Sequence, residues 1–157
     1  MKTELLLTGK TDYSWIKDGS DLYLSRLKHY TSLLVKEIPE LKKTAGLTPD
    51  QIKEREGELI LKNVKESDYL VLLDERGARL SSEEFASKIE KLTIRGIKCT
   101  IFAVGGSYGF SEKVYKRSDE LISLSPMTFS HQMVRVIFLE QLYRAYTIIK
   151  GEPYHHK

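Results

Sequence analysis

Short apolar runs alternate along the chain with longer segments whose apolar positions recur every three or four residues. The first pattern suits strands buried on both faces, and the second suits helices with one buried stripe. Their regular alternation predicts an α/β fold with a mostly parallel sheet flanked by helices. Strands are expected at about Thr3–Thr8, Ser32–Ile38, Tyr69–Asp74, Ile97–Val104 and Leu121–Leu124. Helical spacing links Trp15, Ile16, Leu22, Tyr23 and Leu27, then Ile52, Leu59, Ile60 and Val64, then Phe85, Ile89 and Leu92. A short helix over about Ser111–Ser118 and a long one over about His131–Lys150 complete the set.

Local signals sharpen these bounds. Thr48 with Gln51 and Ser81 with Glu84 read as capping boxes, and Pro49 suits the first helical position. Gly96 marks one helix end, and Gly151 with Pro153 stops the last helix. Gly57, inside the second helix, is expected to cost about 1 kcal/mol relative to alanine. The last helix carries Val134, Val136, Ile137, Phe138, Leu139, Leu142, Tyr143, Tyr146, Ile148 and Ile149, apolar in nearly every direction. It must be covered on more than one side, either within its own subunit or by a second copy. The prevalence of two-fold symmetry among soluble oligomers favours a homodimer. Arg135, Glu140 and Arg144 inside this helix argue against a membrane span.

The chain has 157 residues, the length of one domain with its own core. A composition of 41% hydrophobic and 30% charged residues is that of a soluble globular chain. Cys99 is the only cysteine, so there is neither an internal disulfide nor a C-x-x-C metal pattern, and a reducing cytoplasm is the expected location. Leu5–Leu7 is too short a run for a signal peptide. The formal net charge of +3 is spread as +1 over residues 1–67, zero over 68–104 and +2 over 105–157. With no basic arm, charge neither indicates nor excludes a nucleic-acid partner.

Candidate chemistry gathers in three loops expected at the carboxyl ends of strands three, four and five: 73–77, 105–109 and 124–130. In open α/β sheets ligands bind along that edge. The turn Gly105-Gly106-Ser107-Tyr108-Gly109 would let backbone N–H groups approach a ligand. It does not follow the first strand, as a dinucleotide-binding fingerprint should, and the full Walker and H-E-x-x-H patterns are absent. Read alone, Arg135 and Arg144 are expected to be solvated or ion-paired, and the tail bearing Tyr154, His155 and His156 to be disordered.

Taken together, seven ordered blocks resemble a family: 72–77 (LLDERG), 105–109 (GGSYG), 121–125 (LISLS), 127–129 (MTF), 131–136 (HQMVRV), 140–145 (EQLYRA) and Tyr154-His155. The chain is similar to the large-subunit 23S rRNA pseudouridine N3-methyltransferases, a compact branch of the SPOUT class. Ser130, Ala78 and His156 depart from that family's usual pattern. The resemblance implies an S-adenosylmethionine-dependent enzyme that methylates N3 of a pseudouridine in assembled ribosomes. It also implies a C-terminal trefoil knot, a homodimer with its active site at the subunit interface, and no metal. Carried over residue by residue, donor contacts fall on Leu73, Gly105, Leu124, Ser125, Pro126, Met127, Thr128 and Phe129. Arg144, Tyr154 and His155 fall near the target base, with His131 and Arg135 lining or supporting the cleft. A SPOUT enzyme acting on tRNA or another rRNA site, and a non-catalytic ribosome-binding module, are the alternatives. If the whole chain is the catalytic domain, substrate choice falls to the dimer surface and the shape of the ribosome.

Overall fold

The computed structural model describes residues 1–156. Five parallel strands form one sheet: β1 (Lys2–Thr8), β2 (Ser32–Ile38), β3 (Tyr69–Arg79), β4 (Cys99–Val104) and β5 (Glu120–Ser123), in the order β2-β1-β4-β3-β5. The helices are α1 (Ser14–Leu27), α2 (Pro49–Lys62), α3 (Ser82–Ile94), α4 (Glu112–Arg117) and α5 (Met133–Ile149). Neighbouring strand residues point to opposite faces and build two cores. Leu5, Leu7, Val71, Leu73, Phe102 and Val104 meet α1, α3 and α5 on one side. Leu6, Leu70, Leu72, Ile101 and Ala103 meet α2 and α4 on the other. Burial on both faces is why the strands read as continuous apolar runs.

Both capping boxes are present. Thr48 and Ser81 accept from the N–H groups of Gln51 and Glu84, whose side chains reach back to the cap N–H groups. Gly96 ends α3 with φ +74° and Gly151 follows α5 with φ +68°, both in the left-handed region that favours glycine. Among the helical apolar positions, Ile16 and Leu27 are buried, whereas Trp15 and Leu22 are exposed.

Two expectations need correction. β3 does not stop at Asp74. After Leu73 pairs with Ile122, the chain makes an excursion and returns, so that Ala78 pairs with the same Ile122 and Arg79 with Ser123. The segment expected as a free loop is therefore a bulge held at both ends by β5.

The second correction concerns Gly57. It is buried beneath α4, and a Cβ there would lie 2.3 Å from Ser111 Oγ and 3.1 Å from Val114 Cγ2. Ser111 Oγ caps α4 by accepting from Val114 N–H, so it has little freedom to move. Helix propensity alone would make Gly57→Ala stabilising by about 1 kcal/mol. The packing reverses the sign, and a loss of about 1–3 kcal/mol is expected in urea unfolding. A gain would show that α4 slides without resistance.

Candidate active site

The excursion of β3, the turn after β4 and the segment after β5 converge on one open cavity of about 780 Å³, within the usual size range of ligand clefts. Of the expected donor contacts, Leu73, Gly105, Leu124, Ser125, Met127, Thr128 and Phe129 line it, together with His131 and Val134 at the start of α5. Pro126 lies in the same segment but is not among the lining residues.

Side chains tie the three segments into one wall. Glu75 accepts from Thr128 Oγ1 at 2.9 Å, joining the β3 excursion to the post-β5 segment. Ser125 Oγ accepts from Met127 N–H at 2.9 Å, and Ser123 Oγ donates to Ser125 O at 2.8 Å, shaping the turn around Pro126. The turn after β4 closes with Gly109 N–H donating to Gly106 O at 3.1 Å, and Gly109 has φ +82°. Gly106 is backed by α2. A Cβ there would sit 2.6 and 2.7 Å from the Glu56 carboxylate oxygens. Glu56 Oε2 is buried without a hydrogen-bond partner among the described residues, and burial raises this carboxyl's pKa.

Asp74 and Arg76, which lie in the candidate loop 73–77 but carried no assigned role, also stand on the cavity wall, and so does Tyr115, which sequence reasoning missed. Asp74 accepts from Tyr115 OH at 2.5 Å and from Arg76 N–H at 2.8 Å. Burial, and then that hydrogen bond, push the Tyr115 phenol up. The D-x-R spacing in a turn was the available signal, but it indicates an ordinary Asx turn equally well.

Arg135 is not solvated. Its side chain is 1% exposed, and it donates to His131 O (3.0 Å), Thr11 Oγ1 (2.9 Å) and Thr8 O (2.9 Å). Burial lowers its pKa, while Glu37, Asp12 and Glu40 counter that effect. It thereby fixes the turn that bears His131 and leads into α5 against the end of β1. Arg135→Met keeps much of the stem but leaves two buried carbonyls without their donor, so a loss of about 2–4 kcal/mol is expected in urea unfolding. Unchanged stability would mean that water replaces the guanidinium there.

The tail is docked rather than disordered. The Tyr154 ring meets Tyr143 edge-on at 4.7 Å, and the Arg144 guanidinium lies 4.8 Å from the centre of the Tyr154 ring. Glu140 Oε1 accepts from Arg144 Nη2 at 2.6 Å and from Tyr154 OH at 3.0 Å. His155 Nδ1 is 3.3 Å from Arg144 Nη1, and its Nε2 is 3.1 Å from Glu83 Oε1. An arginine N–H only donates, so Nδ1 accepts, and a neutral imidazole carries its proton on Nε2, facing Glu83. Burial above all, then hydrogen bonds with Tyr23 and Glu140, push the Tyr154 phenol far up. Tyr154 is therefore a donor and not a base at ordinary pH.

Arg144, Tyr154 and His155 thus form one cluster, and none of them lines the cavity. Val134 lines it, and Arg144 follows ten positions later on the same helix, about 15 Å along the axis. One subunit therefore holds the two groups of predicted site residues apart.

Among the described residues, no helix is long and apolar enough to cross a membrane, and no cluster of three or more His, Cys, Asp or Glu is placed to hold a metal ion. A family model described as predicted SPOUT methyltransferase matches residues 1–155. The chain is 54% identical over 157 residues to the ribosomal RNA large subunit methyltransferase H of Christiangramia forsetii, covering 100% of each chain. It is 50% identical, with the same coverage, to the protein of that name from Parabacteroides distasonis. A putative methyltransferase from Legionella pneumophila, solved in complex with SAM, matches with a TM-score of 0.46 at 10% identity, covering 92% of this chain and 66% of that one. That last likeness is too loose to carry an argument. The match to the family model and the two full-length relatives carry the conclusion: this chain belongs to the SPOUT methyltransferase family.

Proposed function

We propose that the protein transfers a methyl group from S-adenosylmethionine to N3 of a pseudouridine in large-subunit 23S rRNA, acting on the assembled ribosome as a homodimer. The observation that carries the reading is the convergence of the β3, β4 and β5 segments on one cavity. The residues present suit the donor. Backbone groups of 124–130 would read an adenine edge, Leu73, Leu124 and Val134 would enclose the ring, and the glycine turn leaves its backbone open to close approach. The bound donor supplies an electrophilic methyl carbon on a sulfonium. The protein's part is to align N3 with that carbon and to take the N3 proton.

The Arg144–Tyr154–His155 cluster suits that second task. Arg144 would stabilise negative charge on the base or hold a phosphate, and Tyr154 would orient the uracil ring as a protonated donor. His155 is the proton acceptor, its Nδ1 lone pair released when Arg144 turns to the target. A second copy explains how this cluster reaches a cavity on the far part of α5. Exposed Tyr13 and Trp15 support that arrangement: they stack at 5.9 Å, close to the N-terminus of α5, where Gln132 Oε1 accepts from Asp12 N–H. The knotted path that the resemblance implies for the C-terminal half is part of the same proposal.

Thermal unfolding with added donor tests the cavity. Occupancy at 100 times the dissociation constant should stabilise the protein by about 2.7 kcal/mol, whereas no shift would leave the binding-module alternative ahead. Labelled donor incubated with ribosomes, free subunits and tRNA from a strain lacking the gene tests the substrate. Label in tRNA alone would overturn it.

A further inference from the structure

The donor-cleft reading leaves one charged side chain on the wall without a task. Arg76 sits in the β3 excursion, and it is the only Lys or Arg among the residues that line the cavity. Its backbone N–H and its Nε both point to Asp74 Oδ1, at 2.8 and 3.4 Å. The guanidinium carbon stacks 4.3 Å from the centre of the Tyr115 ring, and Tyr115 OH is itself anchored on Asp74. One edge and one face of the guanidinium are thus occupied. The ion pair with Asp74 runs through Nε at 3.4 Å, the guanidinium also hydrogen-bonds the Tyr115 side chain, and its Nη fork is the part whose geometry matches a carboxylate.

The charges around it are ordered. Glu75 is held by Thr128 and Asp74 by Tyr115 and Arg76, so two acidic groups and a single base share one wall. The amino-acid end of an S-adenosyl donor carries an ammonium and a carboxylate beside the sulfonium. Its two positive centres match the acidic pair, and Arg76 is the one Lys or Arg on the cavity wall that its single anion can meet.

Resting on the donor-cleft reading, we propose that Arg76 recognises the α-carboxylate of the donor and sets the cleft's preference for the complete amino-acid nucleoside. The stacked, tethered side chain is already held in place, so little rotamer freedom is lost on binding.

The test is calorimetric binding of S-adenosylhomocysteine and of its decarboxylated analogue, which keeps the amine, to the full chain and to Arg76→Gln and Arg76→Lys. A charge-assisted bond of this kind predicts that the wild type prefers the carboxylate ligand by about 10- to 100-fold. Arg76→Gln should abolish that preference while binding the decarboxylated ligand as the wild type does and melting at the same temperature, and Arg76→Lys should keep part of it. A preference that survives in Arg76→Gln overturns the proposal. Equal weakening of both ligands also overturns it, because Arg76 would then only brace the wall. Unchanged binding of both with a raised KM for ribosomes would overturn it in favour of an RNA phosphate contact. If the wild type bound neither nucleoside, the donor reading itself would fall and this inference with it, a pattern distinct from the other three.

Discussion

Gly77→Ala is expected to leave little folded protein. A Cβ at this position would lie 2.5 Å from Ile122 N, 2.5 Å from Leu121 C and 2.6 Å from Ile122 C. All three are backbone atoms of β5, which is paired to β3 on both sides of the bulge, so neither segment can retreat without breaking the ladder. Ordinary overpacking costs about 1–3 kcal/mol. A clash with paired backbone belongs at or beyond the top of that range, about 3 kcal/mol or more. Soluble yield, near-UV circular dichroism and the urea midpoint would report it. Gly96→Ala is the control: its φ is +74° but nothing lies within 4 Å, so only the backbone strain of about 1 kcal/mol applies. If Gly77→Ala were no worse than Gly96→Ala, the close crossing of β3 and β5 would be wrong.

On the role proposed for Arg144, Arg144→Ala should cut methyl transfer by about 100- to 1,000-fold, the loss expected when a charge-assisted contact to a base developing negative charge is removed. Donor binding should survive, since Arg144 does not line the cavity. The homodimer proposal adds a sharper consequence. Arg144→Ala subunits reassorted with subunits carrying an inactive cleft, such as Gly106→Val, should regain activity. Random pairing sets an intact cleft against an intact tail at about one site in four. Recovery near that level supports a site shared between copies. Failure to recover, with mixed dimers present by mass spectrometry, would mean that each subunit works alone. Gly106→Val suits the purpose because its branched side chain must displace the Glu56 carboxylate, 2.6 and 2.7 Å from a Cβ there, and it adds bulk to the turn after β4, which lines the cavity, rather than to α5. Loss of donor binding in this variant would confirm that its cleft is inactive.

Much of the framework was legible before any coordinates. The five apolar runs became the five strands, and both capping boxes start the helices they were assigned to. These signals are local: alternation, periodicity and caps act over a few residues and survive any tertiary arrangement. The three segments at the sheet's carboxyl edge were legible for a similar reason, since topology alone brings strand ends together.

The errors share a physical cause as well. Arg135 reads as solvated or ion-paired; it does pair with Glu37 at 4.0 Å, but from the interior, where three oxygens supplied by residues 8, 11 and 131 satisfy it. Tyr154 and His155 read as a loose terminus, but Glu140, Tyr143, Arg144 and Glu83 hold them in place. Gly57 and Gly77 read as a weak helix residue and a turn residue, whereas each is a point where one segment passes against another.

By itself, the sequence determined the α/β class, the element order and the capped helix starts, because each depends on neighbours along the chain. Only the tertiary structure decided that 73–77 is a bulge pinned to β5, that Arg135 is a buried strut, and that Arg76 stands alone as the cation of the cleft wall. It also decided that the cavity and the Arg144 cluster lie at different places along α5. These are properties of groups far apart in sequence, whose desolvation, pairing and clearance exist only once the chain has folded.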